Sequence, residues 1–544
     1  MLGQMMNVPL SIPAVLEHAA AYHGQVEIVS RSEEGPIHRT TYAALRARTH
    51  QLANALLALG LRPGERVGTL AWNTYRHLEL YFAVPGAGFV CHTTNPRLFA
   101  DQVAFIVNDA ADRAVFVDLS FVKLAEQIAP LCPAVTNWVI LTDRAHMPET
   151  TLPNALCYEE LLAAQAPHFV WPTLDENTAS GMCYTSGTTG NPTGVLYSHR
   201  STLLHAFAIS HPNAFCLSAR DVVMPVVPMF HVNSWCLPYA APIAGAKLVL
   251  PGAKLDGASV SSLIMDEGVT ATAGVPTVWL ALLNYADTHN LSLKPLDRVV
   301  VGGSACPQSL FERFAALGAR VIHAWGMTEM SPVGSVCILT PEHDALPIEE
   351  QMKLRIKQGR APFGVELRIT GLNGEALPWD GTARGMLEVR GPWVTSGYFN
   401  NDDRSAFSAD GWFATGDVAT ITPDGFMEIV DRTKDVIKSG GEWISSIALE
   451  NAALGHPAVR EAAAIAKPDP KWGERPRLVL VLKEGAEVTA PELRGYFEQH
   501  IAKWCVPDDV VIVDDLPHTA TGKLFKMELR KQYSGENPPG LLKL

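Results

Sequence analysis

The chain has 544 residues, a formal net charge of −13, 47% hydrophobic and 18% charged residues. That length exceeds what one hydrophobic core supports, so two or more domains are expected. The acidic balance argues against nucleic acid as a partner and against a polybasic membrane dock, leaving any anionic ligand to be held by local groups.

The opening residues carry no basic segment and reach Glu17 quickly, so no secretory signal is expected. Residues 41–60 have helix-forming composition and end at Gly60. Short apolar runs of strand type follow at 66–72, 114–117, 138–141, 222–227, 247–250, 298–301 and 320–323, many separated by helix-like segments. This alternation predicts an α/β fold with mainly parallel sheets. The most apolar stretch, 222–251, is broken by five prolines and contains His231, Asn233 and Lys247, which excludes a membrane-spanning helix. The nine cysteines form no C-x-x-C pair, so neither a zinc site nor a redox motif is indicated, and their odd, scattered count suits reduced thiols in a cytosol. Near residue 430 the composition changes. The remainder reads as a small α+β unit, with strands at 462–466, 478–482 and 510–513 and helices at 446–454 and 491–503. The expected division is 1–431 for a large domain and 432–544 for a small lid.

The most informative segment is Tyr184-Thr-Ser-Gly-Thr-Thr-Gly-Asn-Pro-Thr-Gly194. Glycines let backbone N–H groups converge on an anion and hydroxyls add donors, so Thr185, Ser186, Gly187, Thr188, Thr189 and Gly190 suit a nucleotide's phosphates. The loop lacks the Gly-Lys-Ser/Thr ending of a Walker A loop, and no strand-linked G-x-G-x-x-G supports a dinucleotide fold.

This loop resembles the signature of the adenylate-forming superfamily, which contains acyl-CoA synthetases, luciferases and peptide-synthetase adenylation domains. The resemblance runs through nearly the whole chain in order: Phe230-His231, Gly302-Gly303-Ser304-Ala305, Trp325-Gly326-Met327-Thr328-Glu329, Thr415-Gly-Asp417, Asp431-Arg432 with Lys434-Asp435, Ser439-Gly440-Gly441-Glu442, and Thr521-Gly-Lys523. It implies ATP, Mg²⁺ and coenzyme A as cofactors and a two-step ligation of a carboxylic acid. Lys523 would bridge the acid and the α-phosphate. Thr328 would donate to that phosphate, and Glu329 with Thr185 would hold Mg²⁺. Asp417, Arg432 and Lys434 would serve the nucleotide, and Trp325 would stand beside adenine with Gly302, Gly303, Ser304 and Ala305. Asp431 would be the hinge, and Lys438, Ser439, Gly440, Gly441, Glu442 and Trp443 the CoA-side loop. His231, Trp235, Gly302, Gly303 and Trp325 would line the acyl pocket, with His231 either a base for the thiol or a packing residue.

An amino-acid substrate is disfavoured because His231 stands where amino-acid-activating relatives carry Asp. The sequence is similar to the bacterial medium- and long-chain fatty acyl-CoA ligases, a branch that includes 3-(methylthio)propionate-CoA ligases. A medium-chain fatty acid is the first expectation and 3-(methylthio)propionate the second, since a thioether acid is nearly isosteric with a short fatty acid and an apolar pocket separates such analogues weakly. Relatives of this branch often dimerise, so a cytoplasmic homodimer is expected. A carrier-protein-loading enzyme and a non-catalytic acyl sensor are the remoter alternatives. One departure stands out: the loop ends Pro192-Thr193-Gly194 where relatives have Pro-Lys-Gly.

Overall fold

In the computed structural model, residues 1, 3–185, 192–371, 373–440, 442–518 and 524–544 are described, Glu442 by its backbone alone. Contacts divide the chain into two units, Met1–Glu366 with Val389–Phe413, and Leu367–Glu388 with Ala414–Leu544.

The first unit contains two sheets. Seven strands run in the order Ala155–Cys157, Asn137–Ile140, Asp112–Val117, Arg66–Leu70, Val90–Thr93, Ala179–Tyr184, Gly194–Ser198. All pairs are parallel except the last, where Tyr184 pairs with Gly194 and so closes the Ser/Thr/Gly loop as a hairpin. Eight strands form the second sheet, in the order Val333–Val336, Arg320–Gly326, Arg298–Val301, Ala271–Gly274, Val222–Pro225, Lys247–Leu250, Glu27–Arg31, Ile37–Thr41. Its interior pairs are parallel and its two outermost pairs antiparallel. Strands buried on both faces need near-continuous apolar runs, which is why these segments read as Arg-Val-Val-Val or Lys-Leu-Val-Leu. One core cluster holds Val67 and Ala114 of the seven-stranded sheet together with Val223 and Leu248 of the eight-stranded one. The helix expected at 41–60 spans Tyr42–Ala58, and its Thr41 cap accepts from the Ala44 N–H.

The second unit is built on the strands Glu366–Thr370, Gly385–Arg390, Phe413–Ile421 and Met427–Arg432, and on a six-stranded sheet centred on Gly473–Leu482. By contact, residues 414–431 group with the C-terminal part. No helix among the described residues is long and apolar enough to cross a membrane.

Candidate active site

In an open α/β sheet, ligands bind outside the carboxyl ends of the parallel strands. Two adjacent strands of the eight-stranded sheet deliver their next residues to that edge. After Arg298–Val301 the chain passes through Gly302, buried, and then Gly303, Ser304 and Ala305, all exposed. Gly303 has φ +83°, a conformation that favours glycine. After Arg320–Gly326 comes a tight turn: Met327 N donates to Pro332 O at 3.0 Å, and Met330 N to Met327 O at 3.0 Å. Gly326 makes this turn possible, since a Cβ there would lie 2.0 Å from the Pro332 carbonyl oxygen. The Trp325 ring packs over Gly334, where an added Cβ would sit 2.6 Å from it, and the side chain remains half-buried.

The turn presents Thr328 and Glu329, both buried. Tyr197 donates its hydroxyl to Thr328 O at 2.7 Å, and Thr395 N donates to Glu329 O at 2.7 Å. Tyr398 donates to Glu329 Oε1 at 2.9 Å. Burial, and then the neighbouring Glu329 charge, push the Tyr398 hydroxyl above its usual range, so it stays a donor. Glu329, Tyr197, Thr395 and Tyr398 line a cavity of about 360 Å³ that also takes in Ser198, Ser201 and Arg404. Sequence reading missed Tyr197 and Tyr398. Tyr197 lies on the strand leaving the phosphate loop, a usable signal, whereas Tyr398 is 69 residues from its partner and has none.

At the mouth of the phosphate loop, Thr185 N donates to Thr193 O at 2.9 Å and the two hydroxyls lie 2.9 Å apart. Ser186, Gly187, Thr188, Thr189 and Gly190 lie outside the described residues, as do Gly441, the Glu442 side chain and Lys523. His231, half-buried, caps a short turn whose Trp235 is buried against Gly302. Glu329, Thr328, Trp325, the glycine loop, Thr185, His231 and Trp235 thus all belong to the first unit.

In the second unit, Asp417 and Arg432 face each other across an antiparallel pair, and Arg432 Nε lies 2.8 Å from the buried Asp417 carboxylate. The Asp417 N–H donates to Thr415 Oγ1 at 3.1 Å. Burial holds the Lys434 ammonium below its usual range. Asp431 accepts from Arg432 N at 2.7 Å, from Ser446 Oγ at 2.9 Å, and from the Ser446 N–H at the start of helix Ser446–Leu454. Lys526 Nζ completes this cluster, 2.7 Å from Ser446 Oγ and 2.6 Å from Glu450 Oε1. In the CoA-side segment, Lys438 N donates to Glu474 at 2.8 Å, and Arg475 reaches Ser439 Oγ at 3.5 Å. Gly440, at φ +62°, donates to Trp472 O at 2.8 Å, and Trp443 O accepts from Arg384 at 2.8 Å.

Burial raises the pKa of both Asp431 and Glu450, with Lys526 opposing the rise. A carboxyl whose folded pKa lies above its unfolded value adds stability at low pH and loses it as pH rises through the folded value. Replacing Lys526 with methionine raises both groups further. It is expected to destabilise the protein by roughly 3 kcal/mol near neutral pH, because it leaves buried charge uncompensated. Urea midpoints of parent and variant should differ less at pH 5 than at pH 8; equal differences would contradict this assignment.

Comparison with known proteins gives the family. The AMP-binding enzyme family profile matches residues 16–399, and that of the AMP-binding enzyme C-terminal domain matches residues 448–523. The chain is 52% identical to a 3-methylmercaptopropionyl-CoA ligase of Ruegeria lacuscaerulensis, over 98% of this chain and 99% of that one. It is 49% identical to a medium-chain-fatty-acid–CoA ligase of Ectopseudomonas oleovorans, over 98% of each. Among solved structures it superposes on o-succinylbenzoate CoA synthetase from Bacillus subtilis, bound to its acyl-adenylate intermediate, with TM-score 0.80 and 26% identity over 96% of this chain and 99% of that one. The chain belongs to the AMP-binding enzyme family, and its full-length likeness to named CoA ligases puts it among that family's acid–thiol ligases.

Proposed function

We propose that this protein activates an apolar carboxylic acid with ATP and transfers the acyl group to coenzyme A, releasing AMP. The observation that carries this reading is the delivery of Thr328-Glu329 and the exposed glycine loop to the carboxyl edge by adjacent parallel strands. A carboxylate is ionised at neutral pH and needs no general base to attack the α-phosphorus, so positioning and charge neutralisation carry the step. The buried Glu329 carboxylate and the Thr185 hydroxyl are hard oxygen donors that fit Mg²⁺, which would neutralise phosphate charge. Thr328 would donate to the α-phosphate, and its backbone is held for that by Tyr197. Trp325 and the loop 302–305 would flank adenine. Asp417 would accept from the ribose hydroxyls with Arg432 beside it, Lys434 would support the nucleotide, and Lys523 would bridge acid and phosphate. Rotation about Asp431 would then withdraw Lys523 and bring segment 438–443 to the pantetheine arm. That rotation would act on the Asp431 bonds to Ser446. His231 would meet the acyl chain or the thiol.

The full-length likeness to ligases of both a thioether acid and medium-chain fatty acids supports an acid of that size class. Identities of 52% and 51% to two 3-methylmercaptopropionyl-CoA ligases against 49% favour the thioether acid by a small margin. A soluble homodimer in the cytoplasm completes the reading. Comparing kcat/KM for 3-(methylthio)propionate with that for octanoate tests it: a clear excess for either acid assigns the substrate, and inactivity with both contradicts the size class.

Thr193 occupies a position where a lysine would add charge at the phosphate loop. Thr193→Lys is expected to lower the KM for ATP by about tenfold, the worth of one charge-assisted hydrogen bond. An unchanged KM with an unchanged adenylation rate would contradict it.

A further inference from the structure

The turn that presents Thr328 and Glu329 runs into Val333, and two distant side chains hold that residue. Val333 pairs with Gly326 where the register between the strands Arg320–Gly326 and Val333–Val336 shifts. Its N–H donates to His205 Nε2 at 3.0 Å, and its carbonyl accepts from Trp393 Nε1 at 3.1 Å. His205 comes from the helix His199–Ser210. Trp393 lies two residues before Thr395, whose N–H donates to Glu329 O at 2.7 Å. Ser331, at φ +69°, donates its hydroxyl to Trp393 O at 3.1 Å. The His205 and Trp393 rings meet edge to face, with centroids 5.9 Å apart. Trp393, Ser331 and Glu329 line the same cavity.

His205 is a costly residue for packing alone. It is fully buried, and because Nε2 accepts, its proton sits on Nδ1, which has no partner among the described residues. An unpaired buried N–H costs about 1–3 kcal/mol, and an aliphatic side chain would fill the space without it. Burial pushes the imidazole down to about 3, so the ring stays neutral and Nε2 stays an acceptor near neutral pH. What the ring supplies, and an aliphatic side chain would not, is an acceptor for the Val333 N–H.

We propose that His205 is a positioning residue for the adenylation step: by accepting from the Val333 N–H, while Trp393 holds the Val333 carbonyl, it fixes the turn that sets Glu329 at the cavity and so tunes the hold of the site on its divalent cation. The inference rests on the ligase reading above. His205 acts through the backbone of residues 327–333 rather than on any reactant. Without the acceptor the Val333 N–H must move to find another partner, and the turn moves with it. Acyl transfer from a finished adenylate to CoA no longer needs that cation and is spared.

Two substitutions separate this role from packing. His205→Leu keeps an apolar side chain and removes the acceptor. His205→Gln returns an amide oxygen to the neighbourhood of Nε2. The measurements are pyrophosphate exchange as a function of Mg²⁺, thioester formation from a supplied acyl-adenylate, and thermal unfolding of each variant. His205→Leu is expected to raise the Mg²⁺ needed for half-maximal exchange about tenfold, the scale of one buried N–H left without its acceptor, and to keep thioester formation within about twofold of the parent. His205→Gln is expected to bring the Mg²⁺ requirement back to within about threefold of the parent, because the hydrogen bond is restored. A leucine variant that keeps the parent requirement, that slows both steps alike, or that glutamine fails to rescue overturns the proposal, while an active parent leaves the ligase reading standing. A parent without acid-dependent exchange overturns both. Should His205→Leu fail to fold, Trp393→Phe decides, since it removes the donor to the Val333 carbonyl and keeps an aromatic ring. A raised Mg²⁺ requirement with thioester formation unchanged then supports the proposal, and any other result overturns it.

Discussion

Replacing Glu329 with glutamine is expected to lower kcat/KM for acid-dependent pyrophosphate exchange by roughly 10²–10³-fold, with little change in stability. Glutamine keeps the shape and retains an oxygen to accept from Tyr398, which lies 2.9 Å from Oε1, and the backbone bond from Thr395 N is untouched. The variant loses only the negative charge, and a neutral amide is a much weaker partner for a hard divalent cation. The loss should be partly recovered at high Mg²⁺ if the carboxylate serves the metal. Exchange within about threefold of the parent would remove Glu329 from the chemistry and leave it a residue that braces the turn 327–332.

Lys523→Ala is expected to separate the two half-reactions. If Lys523 bridges acid and α-phosphate, removing its charge should cost adenylation roughly 10²–10³-fold, as for other preorganised groups that stabilise transition-state charge. Transfer to CoA from a supplied acyl-adenylate should fall far less, because that step no longer needs the bridge. Pyrophosphate exchange and single-turnover thioester formation measure the two rates independently. Equal losses in both would show that the lysine acts on the fold or on both steps, against a role confined to the first.

Much of the first unit was legible because its strands are buried on both faces and must be apolar throughout. Arg298–Val301 and Lys247–Leu250 announce themselves that way, and each lies where the pattern put it. Trp325-Gly326-Met327-Thr328-Glu329 was legible for a different reason. A local motif carries both the turn and the groups it presents, down to the glycine whose missing Cβ lets Pro332 approach. What could not be read depends on partners distant in the chain. Tyr197 and Tyr398 hold Thr328 and Glu329 from 131 and 69 residues away. Asp417 could pass for a turn aspartate after Gly416, yet it lies in a strand opposite Arg432. The turn at 232–236, left-handed at all five residues, is the extreme case. It contains no glycine, so local preference argues against it, and tertiary bonds from Ser234, Asn233 and Cys236 override that preference.

The central claim is a ligation that consumes ATP, an apolar acid and CoA together. Its most direct test is AMP release by the purified protein with ATP and Mg²⁺, with and without CoA, across straight-chain acids from acetate to palmitate and with 3-(methylthio)propionate. The account predicts release that requires both acid and CoA and peaks at octanoate-length acids or at the thioether acid; no acid-dependent release from the folded protein would contradict it.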